Sequence, residues 1–327
     1  MSTETTPLVT VIIPCYNVGN FLPRCLDSIL EQTYGNLRVL AVEDCSPDDS
    51  AEIIRRYERK DPRVKGIFHK VNSGVSVARN SGLAETETPW VVFLDGDDWL
   101  HPDAVERYLE RQAQSGADIV CCNMIEHNED GSETSVLEYP FKGQHTLSIE
   151  PGLEDVIEHQ SILCTCIGKM FRTSLIKESG VLFDASLRHA QDTLFTHSIV
   201  LKMKPKVFMD YDCVPYCYRQ FLQSCVHAIK LEKRLNYIGI LITELDKLVC
   251  GFGYSRRLTT RKAAEYFWWI RKFSSDAAER RERARQTIES PLFKEHIPPV
   301  ISQYGKFKHR LLVKLFARGY AGLIRFW

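Results

Sequence analysis

The sequence predicts an α/β protein with a mostly parallel β-sheet flanked by helices, followed by a helical C-terminal region. Across residues 8–128, short apolar runs alternate with segments whose apolar residues recur at helical spacing, an order typical of parallel sheets. From Leu231 onward the pattern is helical. The 327 residues are 44% hydrophobic and 26% charged, proportions typical of a globular protein.

The elements of the first part can be assigned in order. Residues 8–14 are apolar and β-branched, which suits a strand buried on both faces, and Pro14 ends that run. The remaining expected elements are a helix through Leu22, Leu26 and Ile29; a strand at 37–42; a helix from Asp48; a strand at 64–69; a helix at 75–83; a strand at 90–94; a helix through Val105 and Leu109; and a strand at 117–124.

The second part carries less information about function. Residues 129–150 are polar and predict a loop or an irregular hairpin, whereas residues 256–287 predict a charged helix. In residues 303–327, basic residues occupy one helical face and apolar or aromatic residues lie near the other. This basic amphipathic tail favours contact with an anionic membrane surface, and the alternative is a terminal helix packed on the protein.

The charge distribution limits the classes of partner. Residues 301–327 hold six basic and no acidic residues, so 36 basic residues face 42 acidic residues in the first 300. A mildly acidic body argues against a nucleic-acid-binding protein. The N-terminus lacks the features of a signal peptide, and there is no apolar run long enough for a transmembrane helix. We therefore expect a cytoplasmic protein, or one attached only peripherally at the inner face of the membrane.

An aspartate cluster directly follows the strand at 90–94. Asp95, Asp97 and Asp98 lie within four residues, and carboxylates this close repel one another unless a cation joins them. Mg²⁺ or Mn²⁺ binds such oxygen ligands together with phosphate oxygens. Taken alone, the cluster could equally be a tight turn that caps the next helix.

Two further segments place polar groups at the same edge of the sheet. Asp44 follows the second strand, where it could accept hydrogen bonds from a base or a ribose, or could only cap a turn. Asn72 and Arg79 lie between the third and fourth strands. The planar guanidinium of Arg79 could hold a phosphate or a base carbonyl, although a structural salt bridge is the commoner role for such a residue.

Together these segments resemble family 2 glycosyltransferases, which have the glycosyltransferase-A fold. Five motifs carry the resemblance in the expected order, namely Val11-Ile-Ile-Pro-Cys-Tyr-Asn17, Ser28-Ile-Leu-Glu-Gln-Thr-Tyr34, Val42-Glu-Asp-Cys-Ser46, Asn72-x-Gly74-x-x-x-Ala78-Arg-Asn80 and Phe93-Leu-Asp-Gly-Asp-Asp98. The resemblance implies that residues 1–227 form the catalytic domain. It weakens beyond about residue 227, so residues 228–327 are expected to form a helical region that ends in the basic tail.

The resemblance also implies roles for individual residues. Asp95 would lie near the donor ribose and sugar, and Asp97 would bind the metal ion, supported by Asp98. The nucleoside pocket and its surroundings would be formed by the donor-binding residues Pro14, Tyr16, Asp44, Asn72 and Arg79.

The family's catalytic base belongs to an acidic motif, usually Glu-Asp followed by two residues and an aromatic residue. The corresponding stretch here is Gln191-Asp-Thr-Leu-Phe195, so Asp192 would be the base. Gln191 departs from the usual Glu. Glu43 and Cys45 also depart from the commoner Asp and Gly of the second motif.

The activity that the resemblance implies is inverting transfer of a sugar from a nucleoside-diphosphate donor, most commonly a uridine one, to an acceptor hydroxyl. A divalent cation, Mn²⁺ or Mg²⁺, would be the cofactor. The acceptor would be a sugar, a lipid-linked molecule or a polymer, as in cell-surface polysaccharide synthesis. The alternative is a non-catalytic nucleotide-sugar-binding module. A dinucleotide dehydrogenase is excluded because no G-x-G-x-x-G follows the first strand.

Overall fold

The structure is a computed structural model, and it describes residues 9–129, 132–137, 141–148, 160–188, 190–220, 240, 241, 243–245, 247 and 251. Twelve strands lie within these residues: β1 Val9–Cys15, β2 Leu37–Glu43, β3 Val64–Phe68, β4 Trp90–Phe93, β5 Trp99–Leu100, β6 Ile119–Cys122, β7 Met124–His127, β8 Glu133–Val136, β9 Gln144–Ser148, β10 Lys169–Arg172, β11 Lys206–Asp210 and β12 Tyr216–Arg219. The helices are α1 Leu22–Leu30, α2 Ser50–Lys60, α3 Val75–Ala84, α4 Ala104–Ser115, α5 Gln160–Leu163, α6 Thr173–Ser179 and α7 Gln191–Met203.

The main sheet has eight strands in the order β3-β2-β1-β4-β10-β6-β11-β9. Strands β3, β2, β1 and β4 run parallel to one another, which confirms the expected order of strands and helices. Strand β10 is antiparallel to both β4 and β6, and β9 is antiparallel to β11. The sheet is therefore mixed, and its parallel half is the part that the apolar runs predict.

Strands β1 and β4 are apolar because both faces of the sheet are covered there. Every residue of β1 is buried, and so is every residue of β4. Helix α3 lies against β1 so closely that a Cβ at Gly82 would stand 2.5 Å from Ile12. Glycine usually destabilises a helix. This close contact explains why α3 nevertheless has a glycine in its last turn.

A second sheet of four strands has the order β5-β12-β7-β8. The single strand expected at 117–124 is in fact two strands, because Asn123 interrupts it and β7 leaves the main sheet. The Asn123 side chain donates to the carbonyls of Leu137 and Tyr211 and accepts from the amide of Met124. These bonds satisfy the backbone where the two sheets diverge.

The expected loop or hairpin at 129–150 contains strands β8 and β9, which belong to different sheets. The chain divides into two compact units, Met1–Phe221 and Leu222–Trp327. In the second unit the described residues are helical, and Leu241 and Leu245 are fully buried. Residues 256–287 and the tail at 303–327 lie outside the described residues. Within the part that the structure describes, we find no helix with the length and apolar character to cross a bilayer.

Candidate active site

Three segments of the predicted site meet at the carboxyl edge of the parallel half-sheet. Strand β1 lies between β2 and β4, with Cys15 opposite Glu43 and Ile12 opposite Phe93. The residues that follow these strands are therefore neighbours. A Cβ at Gly96 would lie 3.3 Å from the Pro14 carbonyl, so glycine allows the aspartate cluster to approach the end of β1. In parallel sheets this edge is where ligands bind.

Asp44 is buried, with 2% of its surface exposed, and it holds the loop before α3. Its carboxylate accepts hydrogen bonds from the amides of Ser73 and Gly74, at 2.9 and 2.6 Å, and from Nδ1 of His69 at 2.7 Å. The other ring nitrogen of His69 lies 2.9 Å from the Ser81 hydroxyl. No sequence motif points to His69, because it is a lone histidine at the end of a strand.

Glu43 and Cys45, the two residues of the second motif that depart from the family pattern, lie in one hydrogen-bonded turn. Glu43 is buried, and its carboxylate accepts hydrogen bonds from the amides of Cys45 and Ser46. Cys45 has a positive φ of 58°, a conformation that glycine adopts more easily. The longer Glu side chain therefore stabilises a turn in which cysteine replaces glycine. At the rim of the site, Tyr16 is 48% exposed, and Asn72 is exposed as well.

Arg79 points its buried guanidinium at the aspartate cluster. Its Nη2 donates to Oδ1 of Asp95 at 2.7 Å, and only 3% of the residue is exposed. Among the described residues, its Nε and Nη1 atoms have no hydrogen-bond partner. Buried guanidinium nitrogens without partners are costly, and a phosphate or sugar oxygen that reached them would offset that cost.

The three aspartates of the cluster differ in their surroundings. Asp95 is paired with Arg79, and 30% of its side chain is exposed. Burial and the neighbouring charge of Asp95 raise the pKa of Asp97 to about 6. Asp98 is buried, and both of its oxygens accept hydrogen bonds from β12, one from the Tyr216 hydroxyl and one from the Arg219 amide. Burial raises the pKa of Asp98 well above its usual value.

These residues fit a divalent cation. The raised pKa of Asp97 shows that its charge is poorly compensated, and a nearby cation would relieve this. Among the described residues, no group of three or more His, Cys, Asp or Glu side chains could hold a metal ion. Mg²⁺ and Mn²⁺ bind readily to one or two carboxylates together with substrate phosphates, so a site for such a cation does not require a third protein ligand.

Asp192 lies in the first turn of α7, where its carboxyl interacts with the charges of Arg79 and Asp95. Packed aromatic rings join α7 to β4. Phe93, at the end of β4, contacts Phe183 and Phe195 with ring centroids 5.3 and 5.9 Å apart. Phe183 and Phe195 stack at 3.8 Å. Burial raises the pKa of the Asp192 carboxyl, against the opposing effect of the Arg79 charge. A carboxylate with a raised pKa is suited to accept a proton.

The segment before α7 is fixed to α3 by a residue that motif analysis left without a role. The Asn80 side chain donates to the Phe183 carbonyl and accepts from the Phe183 amide, each at 2.9 Å. The guanidinium of Arg79 lies 5.3 Å from the centre of the Phe183 ring. The exposed Arg188 packs against Gly74, since a Cβ at Gly74 would lie only 2.4 Å from the Arg188 Nη1 atom. Residues 74, 79 and 80 of one motif thus contact the segment that precedes the predicted base.

Comparison with known proteins identifies the family. The family model described as glycosyl transferase family 2 matches residues 10–180, more than half of the chain. The chain belongs to glycosyl transferase family 2.

The curated relatives are longer than the matched region. The glycosyltransferase EpsJ of Bacillus subtilis, described as uncharacterized, is 29% identical over 217 residues, which cover 65% of this chain and 61% of EpsJ. The glycosyltransferase GlyA of Streptococcus pneumoniae is 30% identical over 251 residues, which cover 75% of this chain and 35% of GlyA. The match to these two relatives therefore spans less than two thirds of their length.

Solved structures confirm the fold. TarS of S. aureus in complex with UDP-GlcNAc superimposes with a TM-score of 0.68 at 17% identity, over 97% of this chain and 92% of that one. The mannosyltransferase PcManGT of Pyrobaculum calidifontis, in complex with GDP-Man and Mn²⁺, has a TM-score of 0.54 at 17% identity, over 98% and 87% of the two chains. The predicted α/β class of the glycosyltransferase-A type is confirmed.

Proposed function

We propose that this family 2 glycosyltransferase transfers a sugar from a uridine-diphosphate donor to an acceptor hydroxyl with inversion of configuration. The observation that carries the proposal is the convergence of three groups on one edge of the sheet. The buried cation of Arg79 pairs with Asp95, Asp97 follows two residues later, and the Asp192 carboxyl interacts with the charges of both Arg79 and Asp95. An anion-binding cation, a pair of metal-binding carboxylates and a base are the parts that such a transfer needs.

The donor would lie across the ends of β1, β2 and β4. Asp44 and its hydrogen-bonded loop would support the nucleoside, with Pro14, Tyr16 and Asn72 around it. The unpaired nitrogens of Arg79 would bind the donor near the diphosphate or the sugar. A uridine donor is supported by the fold that the chain shares with TarS, which was captured with UDP-GlcNAc.

Asp97, with Asp95 beside it, would hold the divalent cation. When bound, Mn²⁺ or Mg²⁺ would supply positive charge that neutralises the diphosphate leaving group. The fold shared with PcManGT, which was captured with Mn²⁺, supports this choice of cofactor. Asp98 would not be a ligand of the cation, because both of its oxygens already accept hydrogen bonds.

The chemistry is one displacement at the anomeric carbon. Asp192 takes the proton of the acceptor hydroxyl while that oxygen bonds to the anomeric carbon. The bond from the anomeric carbon to the diphosphate oxygen breaks, and the nucleoside diphosphate leaves with that electron pair. Arg79 stabilises the charge that develops on the leaving group. An α-linked donor therefore gives a β-linked product.

We propose further that residues 1–227 carry this reaction and that residues 228–327 form a helical region with a basic tail. A sugar, lipid-linked or polymeric acceptor on a cell-surface polysaccharide pathway would be reached at the cytoplasmic side of the membrane. Residues 303–327 would bind anionic lipid there through their basic face.

The proposal is tested in two steps. A thermal-shift screen of UDP-, GDP- and TDP-sugars, with and without Mn²⁺, should identify one donor, because a ligand that binds the folded state raises the melting temperature. With that donor and candidate acceptors, release of nucleoside diphosphate and the anomeric configuration of the product are then measured. Binding without any release would favour the non-catalytic binding module, and a retained configuration would contradict the single displacement.

A further inference from the structure

Strand β12 of the second sheet holds the aspartate cluster from outside the main sheet. Neither Tyr216 nor Arg219 has a role that the sequence predicts. Tyr216 is fully buried, and Arg219 is 6% exposed. Both residues contact the loop formed by residues 95–98, so the second sheet reaches the candidate metal site.

Tyr216 connects the two ends of this loop. Its hydroxyl donates to Oδ2 of Asp98 at 2.5 Å and accepts from the backbone amide of Asp95 at 3.2 Å. A buried hydroxyl that uses both its donor and its acceptor has a single favourable orientation. The position of the Asp95 backbone therefore depends on the Asp98 carboxylate through one shared oxygen.

Arg219 contacts the same loop at Asp97 and Asp98. Its amide donates to Oδ1 of Asp98 at 2.7 Å, and its Nε donates to the Asp97 carbonyl at 3.0 Å. Its Nη1 donates to the Glu129 carbonyl at 2.6 Å, and its guanidinium lies 4.8 Å from the Trp99 ring centre. Because the arginine is held at several points, it restrains the Asp97 backbone.

We propose that Asp98 is a positioning residue, and that the Asp98–Tyr216–Arg219 network presents the carboxylates of Asp95 and Asp97 to the divalent cation. The inference rests on the proposed function, because it needs a cation-dependent donor site. Both Asp98 oxygens are engaged, whereas the backbones of Asp95 and Asp97 are each bound by β12. Groups that orient metal ligands without touching the metal are a general feature of metal sites.

The test is Tyr216→Phe, with Tyr108→Phe as the matched control. Tyr108 lies in α4 and is equally buried, but its hydroxyl has no hydrogen-bond partner among the described residues. Binding of Mn²⁺ in the presence of UDP is measured by calorimetry for the wild type and both variants. We expect Tyr216→Phe to weaken Mn²⁺ binding by about 10- to 100-fold, the usual effect of losing a group that orients a metal ligand. Tyr108→Phe should bind as the wild type does.

Turnover provides a second readout that a general loss of stability would not reproduce. In Tyr216→Phe the Mn²⁺ concentration for half-maximal turnover should rise, while turnover at saturating Mn²⁺ returns toward the wild-type value. If Tyr216→Phe does not fold, judged by thermal unfolding without ligand, Arg219→Lys replaces it. This variant keeps a positive charge and the backbone amide but removes the Nε contact to Asp97, and it should also weaken Mn²⁺ binding.

The outcomes separate the two proposals. Unchanged or tighter Mn²⁺ binding by folded Tyr216→Phe would overturn the positioning role, since a freed Asp98 oxygen would then act as a metal ligand or have no effect. The proposed function would stand in that case. If the wild type itself binds neither Mn²⁺ nor UDP, the proposed function is wrong, and the positioning role is overturned with it.

Discussion

Replacing Asp192 with asparagine removes the candidate base with very little change in shape. In the structure, Oδ1 of Asp192 accepts one hydrogen bond, from the Thr193 amide at 2.9 Å. The asparagine oxygen can accept the same bond. The variant should therefore keep the first turn of α7, and it should bind the donor with nearly normal affinity.

The expected loss of turnover follows from the role of Asp192 as a general base. A general base contributes about 10²- to 10⁴-fold to the rate, so turnover of Asp192→Asn should fall by that factor. This loss corresponds to about 3–5 kcal/mol in the activation barrier. Although its turnover falls, the Asp192→Asn variant should be more stable than the wild type at neutral pH. Burial raises the pKa of Asp192 in the folded protein, so its ionised form destabilises the folded state.

This linkage gives the variant a pH signature. Wild-type stability should rise as pH falls from the raised pKa of folded Asp192 toward the ordinary value of 3.8, because the folded protein then takes up the proton more readily. Asp192→Asn should be the more stable protein at pH 7, and this advantage should shrink across the same window. Thermal unfolding between pH 4 and pH 7 measures the difference.

The assay is release of nucleoside diphosphate at saturating donor and acceptor, with Asp184→Asn as the control. Asp184 lies in the same segment, where its Oδ1 accepts from the amide and the hydroxyl of Ser186. This control should keep wild-type turnover. Wild-type turnover in Asp192→Asn would refute the assignment of the base, and equal losses in both variants would point to disruption of the segment.

Three other changes test the rest of the site and the tail. Asp97→Ala should abolish Mn²⁺-dependent donor binding in calorimetry, and undiminished binding would remove Asp97 from the metal site. Asn80→Ala should lower the free energy of unfolding in urea by about 1–3 kcal/mol, because the buried Phe183 backbone loses two partners, and an unchanged value would show that those hydrogen bonds are replaced. Removal of residues 303–327 should reduce flotation with anionic vesicles, and equal flotation of both forms would contradict a membrane role for the tail.

Local patterns predict the three central strands of the parallel half correctly because those strands are almost entirely buried. Strands β1, β2 and β4 lie within a residue or two of the predicted bounds, as the uninterrupted apolar runs require. The split between β6 and β7 could not be predicted in this way. The run from 117 to 124 contains only one polar residue after Asp118, and it is the partners of Asn123 in distant segments that divert the chain.

The aspartate cluster likewise has some properties that local sequence predicts and others that only distant contacts decide. Their spacing after β4 predicts a metal site, but it assigns similar roles to Asp97 and Asp98. In the folded protein they differ, because Asp98 hydrogen-bonds to residues more than 100 positions away in the chain. His69 and Asn80 also acquire their roles from partners that no local motif contains.

The sequence by itself determined the fold class, the family, the order of strands and helices in the first half of the chain, and which acidic residues follow the strands at the ligand-binding edge. These properties depend on residue periodicity and on short motifs, which are local. Tertiary structure alone decided which carboxylates remain free, which buried cation pairs with Asp95, and how the aromatic rings join β4 to α7. Those outcomes depend on burial and on hydrogen bonds between distant segments, and both arise only when the chain packs.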